Sequence, residues 1–104
     1  MHAVTRLSYP AYLNKKLSEL EQRLSEGNRK ALCLYRHLVI KYLTVEDLGE
    51  RRECEEELRK LGLSEGDLEQ LKAYAKAIMD EYYRECAAEM RERLAGRWRR
   101  RVQL

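Results

Sequence analysis

The feature that most limits how this chain can fold is a long stretch with no helix breaker. From Ser64 to Gly96 there is no proline, and apolar side chains recur at helical spacing. Leu68, Leu71, Ala75, Ile78 and Tyr82 follow one another at 3, 4, 3 and 4 positions, which is one face of an α-helix. Met79, Tyr83, Cys86, Met90 and Leu94 widen and extend the stripe. Ser64, with Asp67 three residues on, has the form of a helix-starting cap, and Gly96 is the expected stop. A helix of about 30 residues would be about 45 Å long at 1.5 Å per residue. That exceeds the diameter of a globule built from 104 residues. Such a helix must bend, project, or pack against another chain.

The rest of the chain reads the same way. Leu13, Leu17, Leu20 and Leu24 form a narrow seam behind Pro10, which suits a first helical turn. Gly27-Asn28 is the expected end of this first helix, with Asn28 capping the next. The second helix is expected over 29–43. Ala31, Leu32, Tyr35, Leu38, Val39, Tyr42 and Leu43 lie on its broad apolar arc. Arg29, Lys30, Arg36, His37 and Lys41 lie opposite, with Cys33 and Ile40 among them. A third helix is expected over 45–61, capped by Thr44 with Asp47 and stopped by Gly62; Gly49 is a candidate bend. One proline, five glycines and little Val or Ile disfavour strands. The expectation is an all-α fold: a small bundle of about four helices over residues 10–96. A flexible leader is expected at 1–9 and a basic tail at 97–104.

Charge is distributed unevenly. The net value of +3 conceals four basic and no acidic residues over 28–44, ten acidic against four basic over 45–70, and four arginines in the tail. The simplest use of this asymmetry is internal, with Glu53, Glu55, Glu56 and Glu57 beside the cations of the second helix. No apolar run reaches the ~20 residues that a membrane-spanning helix needs, and the N-terminus lacks the apolar centre of a signal peptide. Cys33, Cys54 and Cys86 are odd in number, scattered and outside any CxxC pattern. They read as free thiols of a cytoplasmic protein.

No catalytic motif is present. There is no Gly-rich phosphate loop and no HExxH, and His2 and His37 stand alone. Glu81, Glu85 and Glu89 form a row at i, i+4 and i+8, but metal–carboxylate bundles add a Glu-x-x-His motif that this chain lacks. The row reads as a solvated face relieved by Arg84 and Arg93. Residues 42–49 followed by a helix have a faint helix-turn-helix form. The helix in the recognition position is rich in carboxylates, which a DNA backbone would repel. No enzyme activity, cofactor or metal is expected.

What remains is surface. Arg97, Trp98, Arg99, Arg100 and Arg101 combine the residue types most enriched at interface hot spots. Arg29, Arg36 and Lys41 form a second basic group. The expected function is non-enzymatic protein binding, as an adaptor, inhibitor or regulatory subunit that occupies a partner's surface. A phage or prokaryotic accessory protein inhibiting a defence complex is a setting such a chain would suit. The alternative is nucleic-acid binding through the tail and the second helix. A homodimer through the long helix is a further expectation, with Leu68, Leu71, Ala75, Ile78 and Tyr82 as its seam.

Overall fold

The computed structural model describes residues 7–102, with side chains through residue 96. The fold is all-α. Among the described residues there are five helices: α1 (Tyr9–Glu19), α2 (Glu26–Leu34), α3 (Arg36–Thr44), α4 (Leu48–Lys60) and α5 (Glu65–Val102). A short 3-10 turn, Glu21–Arg23, joins α1 to α2. The molecule measures 64 × 30 × 22 Å, because α5 outruns the bundle that packs on its first half.

The expected second helix is in fact two. The backbone leaves helical geometry at Tyr35 (φ −131°, ψ 38°), and α3 restarts at once. On either side of the break, Ala31 and Leu32 of α2 and Val39 and Tyr42 of α3 all belong to one core. Cys33 does not join them and stays exposed, while Ile40 packs half-buried against the core.

Cap chemistry moves three other boundaries. α1 ends at Glu19, before Gly27-Asn28. Ser25, not Asn28, caps α2, its hydroxyl accepting from the Asn28 N–H at 3.1 Å. Thr44 belongs to the end of α3, where its hydroxyl donates to the Ile40 carbonyl at 2.7 Å. Asp47 takes the cap of α4 instead, accepting from the Glu50 N–H at 3.1 Å. α4 then starts with Gly49 in its first turn, where the glycine has no helix interior to bend. Two expected boundaries hold. Gly62 adopts φ +110° and closes α4, with the Leu63 N–H reaching back to the Leu58 carbonyl at 3.1 Å. Ser64 and Asp67 exchange side-chain-to-backbone bonds of 3.0 and 3.1 Å at the start of α5.

The core joins Leu13 and Leu17 of α1, Leu32, Val39, Tyr42 and Leu58 to Leu68, Leu71, Ala75 and Ile78 of α5. A polar joint fixes where α2 meets α5. Asn28 is fully buried, and its Nδ2 donates to the Asp67 carbonyl (2.9 Å) and to Gln70 Oε1 (2.8 Å). The Ser25 hydroxyl donates to Asp67 Oδ1 at 2.6 Å, and the Ser25 N–H to Gln70 Oε1 at 2.8 Å. These bonds hold the Asp67 carboxyl below its ordinary range, the Ser25 hydroxyl contributing most and the Ser64 backbone next. Gly27 lies against this joint, so close that a Cβ there would strike the Asp67 carboxylate.

Candidate protein-interaction surface

α5 has 38 residues, about 57 Å of helix at 1.5 Å per residue. Ile78 is its last buried residue among those described. A cluster of tyrosines marks the point where the chain's own core ends. Tyr82 packs against Tyr9 and Tyr12, with ring centroids 5.6 and 5.0 Å apart, and against Tyr83 at 5.7 Å. The Tyr82 hydroxyl donates to the Leu7 carbonyl (2.9 Å), and the Tyr9 hydroxyl to the Ala75 carbonyl (3.2 Å). Lys16 completes the collar, pairing with Glu81 at 3.4 Å and standing 5.4 Å from the Tyr12 ring. Burial, then Glu81 and Glu85, raise the Tyr12 phenol above its ordinary value. The collar touches Leu7 and Tyr9 of the expected leader; residues 1–6 lie outside the described residues.

Beyond Ile78 the helix continues with no further buried residue among those described. Tyr83, Cys86, Met90 and Leu94 follow at 3, 4 and 4 positions, one helical face. Tyr83 is 58% exposed, Met90 60% and Leu94 48%. Shallow grooves flank them, one lined by Asp80, Tyr83, Arg84 and Ala87, the other by Cys86, Glu89, Met90 and Arg93. Solitary exposed apolar residues are ordinary on protein surfaces; here they fall in one aligned row. The sequence contains this row, although it is not among the expected partner-binding residues. Its spacing continues that of the core stripe, and periodicity alone does not say where the core ends.

The expected site residues are dispersed. Leu68, Leu71, Ala75 and Ile78 are buried in the chain's own core and Tyr82 packs against it, so this seam is occupied from within. Arg36 is half-buried and structural, donating to Asn14 Oδ1 (2.6 Å) and to the Ser18 hydroxyl (3.0 Å). Arg29 and Lys41 are exposed on α2 and α3. The helical backbone passes through Gly96, the expected stop, and carries Arg97 to Arg101 as well. Gly96 in a helix costs about 1 kcal/mol relative to Ala, which well-formed turns on both sides can absorb. The side chains of Arg97, Trp98, Arg99, Arg100 and Arg101 lie outside the described residues.

The expected pairing between α4 carboxylates and basic residues of α2 or α3 does not form among the described residues. Glu55 pairs instead within α4, with Arg59, which also reaches Glu65 at 2.6 Å. Short reach explains this: an i, i+4 partner is always nearby on one helix. The carboxylate row on α5 is engaged piecemeal, Glu81 by Lys16 and Glu89 by Arg93. No metal-binding group of His, Cys, Asp or Glu occurs among the described residues. His37 is exposed, Cys54 is in the core, and none of the three cysteines is paired. Among the described residues no helix is long and apolar enough to cross a membrane. Comparisons with protein-family models, curated proteins and solved structures give no match to this chain.

Proposed function

We propose that the chain is a non-enzymatic protein-binding module, an adaptor, inhibitor or regulatory subunit, that grips its partner with the distal half of α5. The observation that carries this reading is the row of exposed Tyr83, Met90 and Leu94, with half-buried Cys86 among them, on the part of α5 beyond its last buried residue. Helical order in water comes mostly from packing an amphipathic face, and here Tyr83, Met90 and Leu94 of that face stay exposed among the described residues. The partner that fits is an amphipathic helix, docked as in other helix-on-helix recognition. Charge sets its direction. Residues 79–89 carry four acidic and one basic side chain, a net −3; residues 90–102 carry six basic and one acidic, a net +5. A partner helix with the reverse gradient matches when parallel, and one with the same gradient when antiparallel. A second copy of this chain is of the second kind.

The nucleic-acid reading has less support. Asn28, at the start of α2, packs on Gln70, while the tail begins 27 residues further along α5. That is about 40 Å of helix, so the two basic segments make two separate patches instead of one continuous phosphate track.

The test compares capture of proteins from native cells by the intact chain and by a Tyr83→Glu, Met90→Glu, Leu94→Glu variant. Circular dichroism and sedimentation of both check folding and self-association. Partners, or a dimer, found with the intact chain and lost in the variant support the proposal. The same set from both overturns it. Captured nucleic acid that is released steeply as salt rises favours the second reading.

A further inference from the structure

A second feature, independent of the distal helix, lies where α1, α3, α4 and α5 meet. A cavity of about 350 Å³ opens between Tyr9, Tyr42, Leu43, Ala75 and Met79. Three more side chains line it, and all three are cations: Arg51, Lys72 and Lys76. No carboxylate lines it, although the chain has 18 acidic residues, so three cations gathered without an acid are an exception to the surrounding surface.

The cations keep donors that the fold does not use. Lys76 makes no ion pair or hydrogen bond among the described residues, and Lys72 reaches Glu69 only at 3.7 Å. Arg51 is anchored on one side, its Nη2 donating to the Val45 carbonyl at 2.7 Å. Its Nε is buried and has no partner. The Tyr42 side chain is 1% exposed, and its hydroxyl is likewise buried without a hydrogen bond. Burial, and then the Glu55 carboxylate beside it, pushes that phenol up to about 12, so it remains a proton donor. Buried donors without partners are uncommon in folded proteins, and each calls for an explanation. The Arg51 Nε is one, on a residue of the cationic rim above an apolar floor.

We infer that this cavity binds a small organic anion, a carboxylate on an apolar body, with Arg51, Lys72 and Lys76 holding the carboxylate and Tyr9, Leu43, Ala75 and Met79 receiving the body. The volume lies at the lower end of small-molecule pockets, roughly 300–1,000 Å³, which suits a medium-chain or aryl carboxylate better than a macromolecular segment. The tethered guanidinium supplies direction, because a planar fork held at one end presents its remaining N–H groups to a carboxylate in a fixed orientation.

The test is titration of the full chain with decanoate and, in parallel, with decanol, followed by amide NMR. Decanoate should saturate shifts at Leu43, Arg51, Ala75 and Met79, and decanol should bind about tenfold or more weakly, since it lacks the charge-assisted bonds. Lys76→Met breaks no contact within the fold and should weaken decanoate several-fold while leaving decanol unchanged. Arg51→Met should weaken it further. Three results would overturn the inference: no saturable shift up to millimolar decanoate, equal binding of decanol, or shifts that map to Tyr83, Met90 and Leu94. The last would leave the distal helix's role standing while removing this cavity's.

Discussion

The two halves of α5 use one pattern to opposite ends. In residues 65–78 the apolar stripe is Leu68, Leu71, Ala75 and Ile78, all buried, and a polar joint to α2 fixes its beginning. In residues 79–96 the stripe continues as Tyr83, Cys86, Met90 and Leu94, and more than half of the Tyr83 and Met90 surface faces water. Helix propensity and spacing are alike in both. What differs is whether four other helices are within reach. A helix face thus becomes core only where the rest of the chain covers it, and among the described residues of α5 full burial ends at Ile78.

The sharpest measure of the contrast is amide hydrogen exchange along α5. Amides of residues 68–78 should open only with the whole bundle, at a free energy on the order of 5–15 kcal/mol. From Tyr83 onward protection should decline toward zero at the helix end, as fraying predicts. Uniform protection through Leu94 in a chain shown to be monomeric would remove the distinction. Uniform protection that disappears on dilution would instead show the distal face covered by a second copy.

A pair of truncations sharpens the same contrast. Leu71 is fully buried, so Leu71→Ala should cost about 2–5 kcal/mol in urea unfolding. Leu94→Ala, at a half-exposed position, should change stability by no more than about 0.5 kcal/mol. Comparable losses at both positions would mean that the distal face is covered in the free protein.

How much of this was legible in the sequence follows from the same distinction. Local signals read well where they act locally: the Ser64–Asp67 cap, the Gly62 stop and the 3–4 stripe of α5 are each complete within a few residues. The length of that stripe, against a chain of this size, also implied a helix that bends, projects or packs against another chain, without saying which. Signals that depend on distant partners did not read. Nothing near Tyr35 marks the break between α2 and α3, since no glycine or proline stands there and both sides keep helical spacing. Asn28 looks like a cap beside Gly27, yet its side chain is taken by Asp67 and Gln70, some forty positions away. Arg36 looks like a free surface cation until α1 brings Asn14 and Ser18 to it. The cavity cations were unreadable as a group, because α4 and α5 supply them from separate parts of the chain.

Glycine offers a comparison with opposite signs. An alanine in an open helix gains about 0.8–1.0 kcal/mol over glycine. Gly96 has nothing within 4 Å of a built Cβ, so Gly96→Ala should raise helicity and exchange protection in the distal half. At Gly27 the new methyl would strike the Asp67 carboxylate and disturb its bonds to Ser25 and Ser64. Gly27→Ala should therefore lose about 1 kcal/mol net, propensity notwithstanding. Stabilisation by Gly27→Ala would show that the joint is looser than its distances imply.

The smallest expected effect concerns the same joint and acid. The Asp67 carboxyl is held below its ordinary range in the folded chain, by the Ser25 hydroxyl first and by Ser64 second. In the unfolded chain it titrates near ~3.9. A depressed folded value means that ionised Asp67 favours the fold. That contribution is complete above the unfolded value and disappears as pH falls through the folded one. Other carboxylates titrate over the same range, Glu65 among them, because Arg59 lowers it too. The informative quantity is therefore the difference between the wild type and Asp67→Asn. Between roughly pH 5 and pH 2, the urea midpoint of the wild type should fall more than that of the variant. The extra loss should appear in exchange at residues 65–75 and not beyond Tyr83. Parallel midpoint curves would mean that the carboxylate's charge adds nothing to the joint, leaving its attachment to hydrogen bonds that a neutral side chain makes equally well.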